Sequence, residues 1–164
     1  MPKNVYSEIN LHMTWHTKND DPVLTPEIEN RVHHYLEHKI RETKNAIFHA
    51  VGGIEDHVHL ATSVPPSLLV SDWIRKLKGG SSFYINHEIV NRKLLDWQDG
   101  YGVVSFGTRD LPWVINYVKN QKEHHAKRRR KPAWRHALLA KKKAAKAASA
   151  NALVPTSPAV KRLA

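Results

Sequence analysis

The sequence predicts an α+β protein in which helices alternate with the strands of one antiparallel sheet. Some stretches place an apolar residue at every second position, as half-buried strands do, and others repeat apolar residues every three or four positions, as helices do. The chain has 164 residues, 41% of them apolar, which is enough for one domain with a modest core. It has no Cys, which excludes disulfides, thiolate metal ligands and a cysteine nucleophile.

The first half of the predicted domain reads strand, helix, strand, strand. Residues 7–17 alternate between apolar and polar side chains and predict the first strand. Thr25 before Pro26 is typical of a helix start, and an apolar stripe continues from there at helical spacing. The next two strands are "NAIFHAVGGI" and "HVHLATSV", which a tight turn at Glu55 and Asp56 joins.

The second half reads helix, strand, helix. "PPSLLVSDWIRKLKGGSSFYINHEI" predicts a helix with Leu69 among its inward-facing residues and a disturbance at Gly79 and Gly80. "DGYGVVSFG" predicts a short strand, and "DLPWVINYVKNQKEHHAK" a final helix with Asp110 as its N-cap and Pro112 in its first turn. The order β-α-β-β-α-β followed by a helix indicates an antiparallel sheet of the ferredoxin-like or RRM-like plan, with an added C-terminal helix that bears a tyrosine.

Two histidines in the third predicted strand raise the question of a metal site. His57 and His59 are two positions apart, so their side chains share one strand face. In the final helix, Tyr117 and Gln121 are four positions apart and share one helix face. If this helix lies across the histidine face, Gln121 becomes a third metal ligand and Tyr117 a nucleophile beside the metal. The same spacings also fit residues that form no active site, namely exposed histidines, a half-buried tyrosine and a surface glutamine.

Basic residues concentrate at the C-terminal end of the chain. Residues 126–164 contain 12 Lys and Arg and no acidic residue, whereas residues 1–125 contain 14 basic and 15 acidic ones. This distribution predicts a nearly neutral domain over residues 1–125 and a basic, low-complexity, flexible tail over residues 126–164. The tail favours a nucleic-acid partner over a role in solubility alone. Five consecutive residues of the tail are the predicted nucleic-acid contacts: Lys127, Arg128, Arg129, Arg130 and Lys131.

Four segments resemble, in the same order, the single-tyrosine HUH transposases of small insertion sequences, with the REP-associated tyrosine transposases as relatives. "HVH" at 57–59 resembles the His-hydrophobic-His motif, and "NYVKNQKEHH" at 116–125 resembles the tyrosine-helix motif. "LKGGSSFYIN" at 77–86 and "WQDGYGVVSFG" at 97–107 resemble further family segments. The resemblance covers about residues 5–125 and implies that residues 1–125 form an HUH transposase catalytic domain.

The resemblance implies a metal-dependent single-stranded DNA endonuclease and strand transferase. Tyr117 would be the nucleophile that forms a covalent 5′-phosphotyrosine intermediate, with a DNA hairpin as part of the substrate. A divalent ion, Mg²⁺ or Mn²⁺, would be bound by His57, His59 and Gln121. The resemblance also implies a homodimer. Gly80 departs from the family pattern, in which a larger and often basic residue is expected.

The start of the chain and its hydropathy bear on where the protein works. "MPKNVYSEIN" has none of the features of a signal peptide, and no apolar run is long enough to span a bilayer. We therefore expect a cytoplasmic protein without a membrane partner. The family resemblance further implies a bacterial or archaeal cell, and an association with the nucleoid.

Two other functions compete with the transposase interpretation. "GYGVVSF" at 100–106 resembles the RNA-binding signature of an RRM, which would make the chain a non-catalytic RNA-binding module with Tyr101 stacked on bases. The signature falls on the fourth predicted strand, whereas an RRM has it on the third. The second competitor is a metal-dependent phosphoesterase that uses water, with Tyr117 incidental, and it differs by forming no covalent protein–DNA adduct.

Overall fold

The computed structural model describes residues 6–129, and the side chains of residues 6–126. One antiparallel sheet has the strand order β2-β3-β1-β4, and its strands are β1 (Asn10–His16), β2 (Ile47–Ile54), β3 (His57–Ser63) and β4 (Gly102–Phe106). The helices are α1 (Pro26–Glu42), α2 (Val70–Phe83), α3 (Leu111–Lys119) and α4 (Gln121–Arg129), with a π-helix at Tyr84–Ile89 and 3-10 turns at Lys18–Asp20 and Thr108–Asp110. The predicted α+β, ferredoxin-like fold is confirmed.

One face of the sheet builds the main core with α1 and α2. Met13 and Trp15 of β1 and Val58 and Leu60 of β3 point to this face and are almost fully buried. They are the apolar halves of the two alternating patterns, and burying each such side chain stabilises the fold by about 1.5–3 kcal/mol. The helices contribute the facing residues: Val32, Leu36, Ile40, Ile74 and Leu77.

The opposite face of the sheet is covered by α3 over β2 and β3. Ala50 of β2 and Ala61 of β3 pack against Val114 and Val118 of this helix in a second, smaller core. The approach is close because Gly52 has no side chain: a Cβ there would lie 2.0 Å from the backbone oxygen of Val118. The helix α3 therefore lies on the sheet face that also carries His57 and His59.

The second helix differs from its prediction in two places. Leu69 is the residue before α2 and is 64% exposed, so its predicted inward position is wrong. The helix runs without interruption through Gly79 and Gly80, so the disturbance predicted there is also wrong. Gly80 instead makes room for α1, because a Cβ there would lie 2.1 Å from the hydroxyl of Tyr35. The irregular turn comes later, in the π-helix Tyr84–Ile89.

The last predicted helix is two helices. It begins as expected, with Asp110 at the N-cap and Pro112 in the first turn of α3. Asn120 then leaves helical geometry, at φ −98° and ψ 27°, and α4 begins at Gln121. Asparagine favours such positions because its short polar side chain competes for local hydrogen bonds. The break is mild, since the Asn120 amide still donates to the Asn116 carbonyl at 3.1 Å.

Most of the predicted tail lies outside the described residues, and so do the predicted DNA contacts Arg130 and Lys131. Lys127, Arg128 and Arg129 belong to the backbone of α4, but their side chains lie outside the described ones. The domain boundary after residue 125 stays a prediction. Within residues 6–129, no helix combines the length and the apolar character that a membrane span requires.

The two adjacent glycines of α2 should respond to alanine with opposite signs. Gly79→Ala should stabilise the protein by about 0.5–1 kcal/mol, because its Cβ meets nothing within 4 Å and alanine is the better helix former. Gly80→Ala should destabilise it by about 1–3 kcal/mol through overpacking against Tyr35, whose ring stacks on Tyr84 at 5.3 Å. Urea unfolding of the two variants and wild type measures this, and equal midpoints for the variants would contradict the packing described here.

Candidate metal centre and nucleophile

The two histidines of the HVH motif are buried beneath α3. His57 is 4% and His59 is 8% exposed, because β3 lies between β1 and β2 and α3 covers its polar face. The Nδ1 atom of His57 is 2.6 Å from Oδ1 of Asp56, the turn residue just before it. A carboxylate that accepts the Nδ1 proton orients the ring and leaves Nε2 as a lone-pair donor for a metal.

His59 is oriented in a similar way by a histidine of the neighbouring strand. Its Nδ1 atom is 2.9 Å from Nε2 of His12 in β1, and the two rings stack with centroids 5.1 Å apart. This hydrogen bond occupies Nδ1 and leaves Nε2 of His59 for another partner. His16 of β1 stacks on His57 in the same manner, with centroids 4.8 Å apart. The polar face of β1 and β3 therefore carries a cluster of four imidazoles, those of His12, His16, His57 and His59.

The protonation of this cluster suits metal binding. Burial, assisted by repulsion from the other histidines, lowers the pKa of His59 to about 3. Burial also lowers the pKa of His12. The His59 ring is therefore neutral near neutral pH, which is the form that coordinates a metal ion.

Tyr117 lies against this cluster from the α3 side. Its ring is edge-on to His59 and to His12, with centroids 5.8 and 5.7 Å away, and it stacks on Trp113 at 5.5 Å. The tyrosine is half-buried, whereas Trp113 is 66% exposed. The structure therefore brings the predicted nucleophile to the predicted ligand His59, although its catalytic role stays a prediction.

Gln121 is the most buried of the predicted site residues, at 1% exposed. Its Nε2 donates to the backbone oxygen of Tyr117 at 2.9 Å, which fixes the amide across the α3–α4 break. Its Oε1 is buried and has no hydrogen-bond partner among the described residues. Leaving such an oxygen unsatisfied costs about 1–3 kcal/mol, and a cation would satisfy it. The amide oxygen and the two imidazole nitrogens are donors that a divalent ion accepts, so the predicted ligand set fits a metal.

Two residues of the site escape the sequence analysis. The sequence assigns Asp56 only to a turn, yet it contacts His57. From the sequence, His125 is interpreted as a phosphate neighbour or an exposed residue and not as a ligand, yet its ligand atom and those of His57 and His59 all lie within 4.8 Å of one another. The signal for His125 is its position four residues after Gln121, which repeats the spacing between Tyr117 and Gln121.

The apo protein should lose stability on mild acidification. Burial is the main cause of the lowered pKa of His12, His33 and His59, so the folded chain resists protonation at all three. Histidines of the unfolded chain have a pKa of about 6.5. Below that pH the unfolded chain therefore binds protons that the folded chain does not. The free energy of unfolding should therefore fall as pH drops below about 6.5, by up to about 1.4 kcal/mol per pH unit for His59 alone. Urea midpoints at about pH 7.5 and 5.5, measured in chelator, test this; a higher midpoint at the acidic pH would contradict it.

The structure counts against the RNA-binding alternative. "GYGVVSF" lies on and just before β4, which is an edge strand of the sheet beside β1. An RRM stacks bases on aromatic residues of an open sheet. Here α3 covers the polar face over β2 and β3, and Tyr101 precedes the edge strand at 41% exposure.

A family comparison identifies the class of protein. Residues 5–121 match the family model described as "Transposase IS200 like". The match covers well over half of the chain and shows that the protein is a transposase, a DNA-processing enzyme. The chain belongs to the IS200-like transposase family, and the family that its motifs resemble is thereby confirmed.

Solved structures share the fold. A Deinococcus radiodurans R1 protein inferred to be a transposase, solved at 1.90 Å resolution, superposes with a TM-score of 0.57 at 21% identity, over 74% of this chain and 96% of that one. A REP-associated tyrosine transposase bound to a REP hairpin superposes with a TM-score of 0.50 at 16% identity, over 72% of this chain and 69% of that one. No curated protein matches the chain.

Proposed function

We propose that this transposase cleaves and rejoins single-stranded DNA through a covalent bond between Tyr117 and a 5′ phosphate. The observation that carries the proposal is the position of Tyr117 over His59, with ring centroids 5.8 Å apart, in a family whose members process DNA. A tyrosine beside a candidate metal ligand is placed to attack a phosphate that the same site binds. Tyr117 and the histidines meet within one chain, so the proposed site does not require a tyrosine from a second subunit.

The metal would be held by His57, His59 and Gln121, as Mg²⁺ or Mn²⁺. When bound, such an ion polarises the scissile phosphate and neutralises charge in the transition state. The chain's own contribution is to hold the ligands ready: Asp56 and His12 fix the two rings, and the Tyr117 carbonyl fixes the amide of Gln121.

The proposed cleavage exchanges one phosphoester bond for another. The phenol of Tyr117 loses its proton and its oxygen bonds to phosphorus, while the bond from phosphorus to the 3′ oxygen breaks. The 3′ oxygen takes up a proton and leaves as a free hydroxyl. Rejoining reverses these steps with the 3′-OH of a second strand, so the energy of the phosphodiester is retained in the phosphotyrosine.

The proposed substrate is a single strand that contains a hairpin, and the proposed assembly is a homodimer. The hairpin is supported by the REP-associated tyrosine transposase of similar fold, which was solved with a REP hairpin. The hairpin substrate and the homodimer are proposed from the family resemblance. The setting at the nucleoid of a bacterium or archaeon is proposed on the same ground. Band shifts that compare a hairpin-forming strand with its scrambled form would test the proposed recognition of a hairpin.

The covalent intermediate gives the direct test of the function. Purified protein is incubated with a hairpin-bearing single strand and Mn²⁺, and the products are separated on a denaturing gel. With the DNA labelled on the 3′ side of the cut, the label should migrate with the protein; with the label on the 5′ side, it should not. Label on the protein from the 5′ side would contradict the proposed polarity, and cleaved DNA without any adduct would favour the water-using phosphoesterase.

The basic residues 127–131 are proposed to bind the DNA backbone without regard to sequence. Deleting residues 127–164 should weaken binding to all single strands alike. For each phosphate that the shortened protein no longer binds, the plot of log affinity against log salt concentration should become flatter by about 0.7. An unchanged slope for the deletion variant would show that the tail does not bind DNA, whatever the outcome of the adduct assay.

A further inference from the structure

We propose that His125 is a fourth protein ligand of this site, which makes it a three-imidazole centre that prefers a borderline transition-metal ion to Mg²⁺. The inference deepens the proposed function, on which it rests in taking this cluster as the metal site. It goes beyond the ligand set of His57, His59 and Gln121, and it changes the class of metal that the site should select.

The first observation is the distance between the ligand atoms. The ligand atoms of His57, His59 and His125 all lie within 4.8 Å of one another, and the rings of His57 and His125 are 4.7 Å apart. Two nitrogens that bind one tetrahedral ion, each at about 2.1 Å from it, are about 3.4 Å apart. Small side-chain rotations are therefore enough to bring the three nitrogens onto a common ion.

The second observation is independent of the histidines. Gln121 lies one helical turn before His125 and one turn after Tyr117, so the three side chains follow one face of the helices. Tyr117 contacts His59 at one end of this row, and His125 contacts His57 at the other. Gln121 lies between them, almost fully buried, with its Oε1 lacking a partner among the described residues. A buried acceptor of this kind, one turn from each of two residues that contact the histidines, indicates a cation-binding position.

The start of α4 is held in place independently of any metal. Lys122 Nζ is 2.6 Å from Oε2 of Glu29, whose side chain is 9% exposed, and this ion pair ties α4 to α1. The turn that carries Gln121 and His125 is therefore positioned over β3 by the fold. A preformed ligand set loses less conformational entropy on binding than one that must be assembled.

The chemistry of the donors decides the choice of metal. Mg²⁺ prefers oxygen ligands and retains several waters, whereas imidazole suits Fe²⁺, Ni²⁺, Cu²⁺ and Zn²⁺, and affinity rises from Mn²⁺ through Co²⁺ to Ni²⁺. A site of two imidazoles and one amide accepts either Mg²⁺ or a transition-metal ion. Three imidazoles and one amide favour the transition metals.

The test measures metal binding to the full-length protein in the absence of DNA. Co²⁺ is titrated into metal-free protein and followed by its visible absorption and by calorimetry, for wild type, His125→Ala and the matched control His124→Ala. His124 neighbours His125 in sequence, but its ring contacts Tyr117, at 5.2 Å. His125→Ala should weaken Co²⁺ binding at least about tenfold, the lower end of what even an outer partner of a metal ligand contributes. His124→Ala should bind Co²⁺ as wild type does.

Competition with Mg²⁺ tests the selectivity. A large excess of Mg²⁺ should leave Co²⁺ on the wild type and displace it from His125→Ala. His125→Gln keeps a donor at the position but makes it an oxygen, so it should bind Co²⁺ while losing preference over Mg²⁺; it also serves if the alanine variant fails to fold. Wild-type Co²⁺ affinity in both His125 variants, or equal losses in the His124 and His125 variants, would overturn the proposal. Neither result depends on DNA cleavage, so the adduct assay can fail or succeed separately.

Discussion

Replacing Tyr117 by phenylalanine should abolish the covalent protein–DNA complex and leave the fold and DNA binding near wild type. The change removes one oxygen and keeps the ring, which packs on Trp113 and against His59. The contact of Gln121 with residue 117 should survive, because it uses the backbone oxygen. Denaturing gels measure the adduct, band shifts measure binding, and the Co²⁺ titration confirms that the metal site is intact.

Tyr101→Phe is the matched control for this change. Tyr101 is 41% exposed and precedes β4, where it lines a surface pocket with residues of α2, and it is the residue that the RNA-binding interpretation would have used. This variant should form the adduct at the wild-type level. An adduct that persists in Tyr117→Phe, or one that disappears in Tyr101→Phe, would show that the wrong tyrosine has been assigned.

Replacing His59 by glutamine should reduce metal-dependent cleavage at least about tenfold, because an amide oxygen is a weaker ligand than imidazole for the ion bound here. The imidazole is lost as a ligand, and metal affinity should fall at least about tenfold. Glutamine is the better test than alanine because His59 is only 8% exposed and its Nδ1 is bonded to His12. Alanine would leave a cavity and an unsatisfied His12, so a loss of activity could come from misfolding.

A control variant distinguishes the loss of a metal ligand from the loss of a histidine elsewhere in the chain. His34 lies on α1 and is exposed, so His34→Gln should bind metal and cleave DNA as wild type does. Chelator should reproduce the His59→Gln defect in the wild type, and added metal should reverse it. Full cleavage by the wild type in chelator would contradict the metal role, whatever the phenotype of the variant.

Strand and helix periodicity predicted most of this fold, because each element packs one apolar face on a shared core. The alternation in β1 places Met13 and Trp15 inward, and His12 and His16 on the opposite face. The spacing of His57 and His59 on one strand face followed from the same rule. Local pattern was sufficient in these cases because the faces of a strand are fixed by its geometry.

The sequence could not predict how deeply the polar face would be buried. The strand pattern alone predicts that removing His59 spares the fold, because a polar face contributes little to the core. The structure corrects that expectation, since α3 packs on Ala50 and Ala61 and encloses the histidines. Such burial depends on Gly52 and on the docking of a helix distant in sequence, neither of which a local pattern reports.

The role of Asp56 and the position of His125 escaped prediction for the same reason. A turn aspartate has no distinctive spacing from a metal site, and its contact with His57 appears only when the hairpin closes. His125 follows a break at Asn120 that the continuous helical pattern did not indicate. The tertiary arrangement of α4 and β3 brings its ring to 4.7 Å from that of His57.

The most direct test of the proposed chemistry is to map the amino acid that carries the DNA. The covalent complex is formed on a hairpin-bearing single strand, treated with nuclease and digested with trypsin, and the peptide with a residual nucleotide is sequenced by mass spectrometry. Cleavage after Arg109 and Lys119 releases residues 110–119, which contain Tyr117 as their one tyrosine. We predict that this peptide carries a 5′-nucleotide on Tyr117. A nucleotide on any other residue, or cleaved DNA with no modified peptide, would contradict tyrosine catalysis at this site.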